Sequence, residues 1–270
     1  MNVPRSPPGE TVAGVSVGFV KIMRAALQDI YARRLRAKLK NATLPRHLAV
    51  IMDGNRRWAR QVGLENASSG HQRGGEHLKN VMGWCEDIGI PRLTVYLASA
   101  DNLKKRANAE MCFLMEEVVE RIVVPQAVAS ERWRTHVAGR VDLLPDTTRH
   151  ALKLAVEDTR DRDAEFHLTI AVGYDGRFEL VDAVRSLLES GPGLEELAAS
   201  ITPDDIARHL YTAGQPDPDL VIRTSGEVRL SGFLLWQAAF AELHFCDVHW
   251  PGFRYLDFLR ALRSYSDARR

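Results

Sequence analysis

From His47 onward, short apolar runs alternate with longer segments whose apolar residues recur three and four positions apart. The runs HLAVIM (47–52), RLTVYLAS (92–99), THVAGRVDLL (135–144), FHLTIAVGY (166–174), DLVIRT (219–224) and LHFCDVHW (243–250) predict six strands. Helical spacing predicts helices around 73–88, 110–129, 146–160, 177–189 and 202–212. This alternation predicts βαβ units. The expected fold is therefore α/β, a single domain over residues 41–270 with a central, mostly parallel six-stranded sheet flanked by helices. Functional loops in such folds gather at the carboxyl ends of the strands, where residues 53–57, 99–102 and 223–231 form polar clusters.

The first 40 residues read differently. Residues 1–15, with Pro4, Pro7, Pro8 and Gly9, predict a disordered leader. In residues 17–40, Phe19, Met23, Leu27, Ile30, Tyr31 and Leu35 recur at helical spacing, and seven Lys or Arg oppose a single acid, Asp29. This basic amphipathic helix admits two readings, docking on the domain or contact with an anionic membrane surface.

Composition narrows the class. With 270 residues, 45% of them hydrophobic, the chain can bury one large core. The formal charge of +1 argues against the global basic field that holds nucleic acid, so an anionic partner must be met locally. Cys85, Cys112 and Cys246 show no metal-ligand or disulfide spacing, which fits a reducing compartment. No apolar run reaches the roughly 20 residues of a bilayer span, and no signal peptide is evident, so the expectation is a cytoplasmic protein, with the basic helix a candidate contact to the inner face of the membrane.

A strand ending in Asp53-Gly54-Asn55 before a helix offers free amides and a positive dipole end to an anion. Gly54 lets backbone approach closely, Arg57 and Arg60 add charged donors, and Asp53 is a hard oxygen ligand suited to Mg²⁺. The same triplet also reads as an Asx turn that caps a helix. His71, read as lying just before a helix, could donate to a phosphate. In VIRTSGEVRLSGFLLWQ, Arg223 ends a strand, Arg229 follows six residues later, and Ser231 precedes an apolar segment read as a helix; these could grip a second diphosphate. Either arginine could instead pair with Glu227. Glu242, an acid amid apolar residues, is a paired charge or a metal ligand. PDDIARH reads as a helix N-terminal cap.

MDGNRRWAR, the GH pair at 70–71, DPDLVIRTSGEVRLSGFLLWQ and AELHFCDVHWPGF together resemble the cis-prenyltransferases, the undecaprenyl diphosphate synthase family, in order over roughly residues 44–265. The resemblance is nearest to the short-chain, Z-farnesyl diphosphate synthase branch. It implies a homodimer that uses Mg²⁺ to condense isopentenyl diphosphate with a short allylic diphosphate, geranyl or dimethylallyl, and a hydrophobic tunnel for the product, expected to be (2Z,6E)-farnesyl diphosphate. A long-chain synthase, a non-catalytic partner subunit and a specialised-metabolism enzyme are the alternatives. It further implies that Asp53 binds the metal with Glu242, that Asn55 and Ser99 act in condensation, and that Gly54, Arg56, Arg57, Trp58, His71 and Arg106 hold the allylic substrate. Arg223, Arg229 and Ser231 then hold isopentenyl diphosphate. Leu97, where long-chain members carry a smaller residue, implies a short product. The chain departs from the family at Asp101 and Leu103, usually Glu and Trp, and at Asp175 and Cys246, usually Gly and Thr.

Overall fold

The computed structural model describes residues 12–105, 108–190 and 193–269; Arg106 and residues 1–11 of the expected leader lie outside them. In chain order the elements are α1 (Val12–Leu39), β1 (His47–Ile51), α2 (Asn55–Gln61), α3 (Ala67–Ile88), β2 (Arg92–Ser99), α4 (Ala100–Lys105), α5 (Asn108–Phe113), a π-helical stretch (Leu114–Val123) and α6 (Val124–Ala129). There follow β3 (Trp133–Ala138), α7 (Asp146–Thr159), β4 (Phe166–Tyr174), α8 (Gly176–Ser190), α9 (Leu194–Ser200), α10 (Pro203–Ala207), β5 (Leu220–Arg223), β6 (Glu242–Phe245) and α11 (Tyr255–Ala268).

The six strands form one sheet in the order β3-β4-β2-β1-β5-β6, and every pairing is parallel. Alternate residues explain why both faces are covered. Leu48, Val50, Leu93, Val95, Leu168, Ile170, Leu220 and Ile222 enter the larger core, shared with α3, the π-helical stretch, α11, and Leu35 and Leu39 of α1. Ala49, Ile51, Tyr96, Ala138, Ala171 and Val221 enter a smaller core with Phe233, Leu234 and Ala238. Strands that bury both faces read as continuous apolar runs, the pattern seen in the sequence.

Several elements differ from expectation. The helix expected from residue 17 starts at Val12, within the expected leader. Its C-terminal part docks through Leu35 and Leu39, while Met23, Leu27 and Ile30 are exposed. The third strand covers 133–138 instead of 135–144, because the chain turns at Gly139 into a short 3-10 turn. The single helix expected at 110–129 is a run of α, π and α segments. The apolar segment after Ser231 is a series of turns, since Ser231, Gly232 and Leu234 have φ of 51°, 80° and 46°, which a right-handed helix cannot accommodate. The 202–212 helix shortens to α10; PDDIARH lies at a helix start as expected, and the cap is Thr202 just before it, whose side chain and Asp205 form a reciprocal capping box. The C-terminal helix α11 lies beyond the predicted elements, although Leu256, Leu259, Leu262 and Tyr265 repeat every third residue and are all buried. Among the described residues, no helix is long and apolar enough to cross a membrane.

Candidate active site

The carboxyl ends of β1 and β5 are adjacent, with Ile51 in register with Arg223, so the two basic clusters meet. Asp53 stands between them. Its Oδ2 accepts from Arg223 Nη2 at 2.8 Å, while Oδ1 accepts from the Gly54 amide at 2.6 Å and lies 3.4 Å from Arg57 Nη2. Thr224 ties the loop ends together: its Oγ1 accepts from the Asp53 amide at 3.0 Å and donates to the Asp53 carbonyl at 2.7 Å. Arg223 is only 4% exposed, and its Nη1 donates to Ser231 Oγ at 2.7 Å and to the Arg229 carbonyl. A buried guanidinium paired to a carboxylate is rigid, so Arg223 fixes the Asp53 side chain.

Gly54 has φ of 99° at the N-cap of α2, and a Cβ there would lie 2.8 Å from His249 Nδ1 and 2.9 Å from Ser225 Cβ. Only glycine suits both the backbone and the space. Asn55 opens α2; its Nδ2 donates to the Met52 carbonyl at 3.1 Å, while its Oδ1 is buried with no hydrogen-bond partner. Burial lowers the His249 imidazole pKa first, then the charge of Arg57, against an opposing effect from Asp53. The imidazole is therefore neutral at pH 7.

These residues line a cavity of about 580 Å³, with Arg56, Arg57, Arg60, Arg223 and Arg229 facing two carboxylates, Asp53 and Glu227. The balance is strongly positive in a chain whose formal charge is only +1. Tyr96, Leu97, Leu114, Val118 and Trp250 supply an apolar wall to the same cavity. Such a site takes a ligand with an anionic head and an apolar body. Leu97 is the extra residue of a bulge in β2, since Tyr96 pairs with Ala171 and Ala98 with Val172. A bulge re-aims a side chain.

Of the expected residues, Asp53, Gly54, Asn55, Arg56, Arg57, His71, Leu97, Ser99, Arg223, Arg229 and Ser231 all line this cavity. His71 lies within α3, not before it, and its Nε2 is 3.1 Å from Glu110 Oε1, which is also 3.8 Å from Arg56 Nε. Arg229 pairs with Glu227 at 2.9 Å and its side chain is 66% exposed. Ser99 Oγ accepts from the Asn102 amide at 2.9 Å and so starts α4. Trp58 is not in the cavity wall; it packs under Gly252, whose Cβ position is 3.6 Å from its ring. Glu242 is also apart. It opens β6 opposite Leu220, three register positions before Phe245 meets Arg223, and so sits about 10 Å along the strand from that level. Its charge acts on Tyr265 of α11. Thr224, His249 and Gly74 were missed by sequence reasoning; only Gly74 left a signal, the repeat of Gly70 four residues earlier on one helix face.

Asp53 suits Mg²⁺. Among the described residues no three His, Cys, Asp or Glu side chains converge on one point. A metal here would have one carboxylate and complete its shell from water and ligand oxygens, which is how Mg²⁺ binds beside phosphates.

Residues 51–270 match the family Prenyltransf, described as "Putative undecaprenyl diphosphate synthase". The chain belongs to the undecaprenyl diphosphate synthase family. This cis-prenyltransferase is 54% identical to an isoprenyl transferase of Streptomyces fradiae, with 89% of this chain and 95% of the relative covered. It is 48% identical to the (2Z,6E)-farnesyl diphosphate synthase of Mycolicibacterium smegmatis, over 88% of this chain and 92% of that one. Among solved structures it is similar to lavandulyl diphosphate synthase from Lavandula x intermedia in complex with dimethylallyl diphosphate, with a TM-score of 0.75, 33% identity, and coverage of 83% and 95%.

Proposed function

We propose that this prenyltransferase condenses isopentenyl diphosphate with a short allylic diphosphate, geranyl or dimethylallyl, to give a short Z-prenyl diphosphate, (2Z,6E)-farnesyl diphosphate from the geranyl primer. The observation that supports this most is one cavity with five arginines and an apolar wall that includes Leu97, Leu114 and Val118. Asp53 would hold Mg²⁺, which when bound supplies charge to the leaving diphosphate.

The chain's own residues do the rest. Arg56, Arg57 and the amides after Gly54 hold the allylic diphosphate, helped by His71 in the same cavity wall. Arg223, Arg229 and Ser231 hold the diphosphate of isopentenyl diphosphate. The allylic C1–O bond breaks and its electron pair leaves with the diphosphate, where fixed guanidinium and amide dipoles stabilise the charge. C4 of isopentenyl diphosphate bonds to that C1, and its C2 gives up a proton to the departing diphosphate. Asn55 and Ser99, in the cavity wall, orient the acceptor, and the apolar wall keeps water from the allylic cation. Glu242, far from Asp53 in its own chain, would reach a metal only from a second copy. The β6 edge where it lies carries Phe240, 92% exposed, and Leu243, 43% exposed, so we infer a homodimer through that edge.

The test is to incubate the protein with isopentenyl diphosphate, Mg²⁺ and each of dimethylallyl, geranyl and farnesyl diphosphate, and to size the products. A single C5 addition to the geranyl primer is expected. Asp53→Ala should lower turnover at least ~100-fold. Long polyprenyl products, or an Asp53→Ala protein with wild-type rate, would refute the reading.

A further inference from the structure

At the amino ends of the strands a second basic cluster lies on β2, β4 and β3. Arg92 pairs with His167, and His167 with Arg134, so these three form one row across adjacent strands. His136, paired with Thr169, stands two residues farther along the same face of β3. With strands about 4.8 Å apart and about 3.3 Å per residue along them, all four side chains start within about 12 Å of each other. His136 Nε2 lies 3.1 Å from His167 Nδ1, with the rings stacked at 5.4 Å.

All four residues are half-buried. Burial is the main cause that lowers the pKa of His136, His167 and Arg92, and the charges that add to it are cations: His167, Arg134 and Arg92 on His136; Arg92 and Arg134 on His167; Arg46 on Arg92. Arg134 Nη2 donates to the Arg162 carbonyl at 2.9 Å, but its Nε is buried with no acceptor. The carboxylate of Asp219 acts on His47, at the β1 end of the row. With both imidazoles neutral at pH 7, the two guanidinium charges stand side by side; among the described residues no ion pair joins Arg92 or Arg134 to a carboxylate, and an anion seated between them would supply the missing counter-charge.

We propose that Arg92, Arg134, His136 and His167 form a second oxyanion site that binds a phosphate or diphosphate group. Ser99 lies seven steps along β2 from Arg92, which places this site about 20 Å from the cavity. The guanidinium forks and imidazole N–H groups suit a compact tetrahedral anion better than an extended acidic chain. The site does not depend on the proposed reaction. Inorganic phosphate is one source of ligand, and the diphosphate released by that reaction is the other.

The full chain is titrated with inorganic phosphate and, separately, with inorganic diphosphate, and the ring C–H signals of His136 and His167 are followed by NMR. Saturable shifts of both rings are expected, together with a rise of the His136 pKa from about 4. Arg92→Gln/Arg134→Gln should weaken binding at least ~10-fold, while Asp53→Ala leaves the response unchanged. The tighter anion identifies the source. Shifts that never saturate, persist undiminished in the double variant, or vanish in Asp53→Ala would overturn the proposal. If the double variant does not fold, His136→Gln, read through His167, gives the same decision.

Discussion

At Gly70 a Cβ would stand 2.2 Å from the Asn55 carbonyl oxygen, and at Gly74 it would stand 2.3 Å from Asn55 Oδ1. The two glycines, one helical turn apart on α3, let the start of α2 approach closely and hold the side chain expected to orient the acceptor. Within a helix, Gly→Ala ordinarily stabilises by about 0.5–1 kcal/mol. Here the sign reverses: Gly70→Ala meets backbone that cannot swing away and should destabilise by about 1–3 kcal/mol, read by thermal or urea unfolding. A variant as stable as the parent would show that α2 shifts freely. Leu97, at its bulge, narrows the apolar wall, and interiors leave few voids to spare. Leu97→Ala should therefore add at least one C5 unit to the product, measured by chromatographic sizing; an unchanged product would remove Leu97 from chain-length control.

Between elements, one buried carboxyl organises the cover of the smaller core. Glu179 of α8, 1% exposed, accepts from Tyr174 Oη, from Gln237 Nε2 and from the Tyr211 amide at 3.0 Å. Gln237 belongs to the turn segment that follows Ser231, so α8 braces the loop that presents Arg229 and Ser231. Burial raises the Glu179 pKa above its ordinary 4.5, against the opposing hydrogen bonds. A raised folded value means the contribution to stability is whole below the unfolded value and declines as pH climbs through the folded one. Glu179→Gln should flatten the decline of Tm as pH rises above the ordinary carboxyl value. Parallel Tm profiles for variant and parent would show that this carboxyl does not titrate during unfolding.

For the whole molecule, the parallel sheet gathers chemistry at its ends: the carboxyl ends carry the arginine cavity, and the amino ends carry the second basic cluster. The proposed dimer would form at the β6 edge. If Glu242 serves the partner's Asp53, mixing Asp53→Ala and Glu242→Ala chains leaves one intact site in each mixed dimer. Activity should return to roughly a quarter of wild type after random exchange. No recovery in verified mixed dimers would confine each site to one chain. Analytical ultracentrifugation checks that the dimers have formed.

The alternation of apolar runs with helical spacing was enough to read six strands, a parallel sheet and loops at the carboxyl ends, because those features follow from local periodicity. The motifs likewise located Asp53, Arg223 and their neighbours. Tertiary structure decided what periodicity cannot express. Left-handed backbone at Ser231, Gly232 and Leu234 turned an apolar stretch from helix to turns, although its composition suits a helix. Register placed Glu242 three residues short of Arg223, and packing sent Trp58 to Gly252 instead of the cavity. The salt bridge between Asp53 and Arg223, 170 residues apart, exists only once β1 lies beside β5. Local sequence sets which elements form and which faces are apolar; long-range pairing and close packing determine which side chains meet.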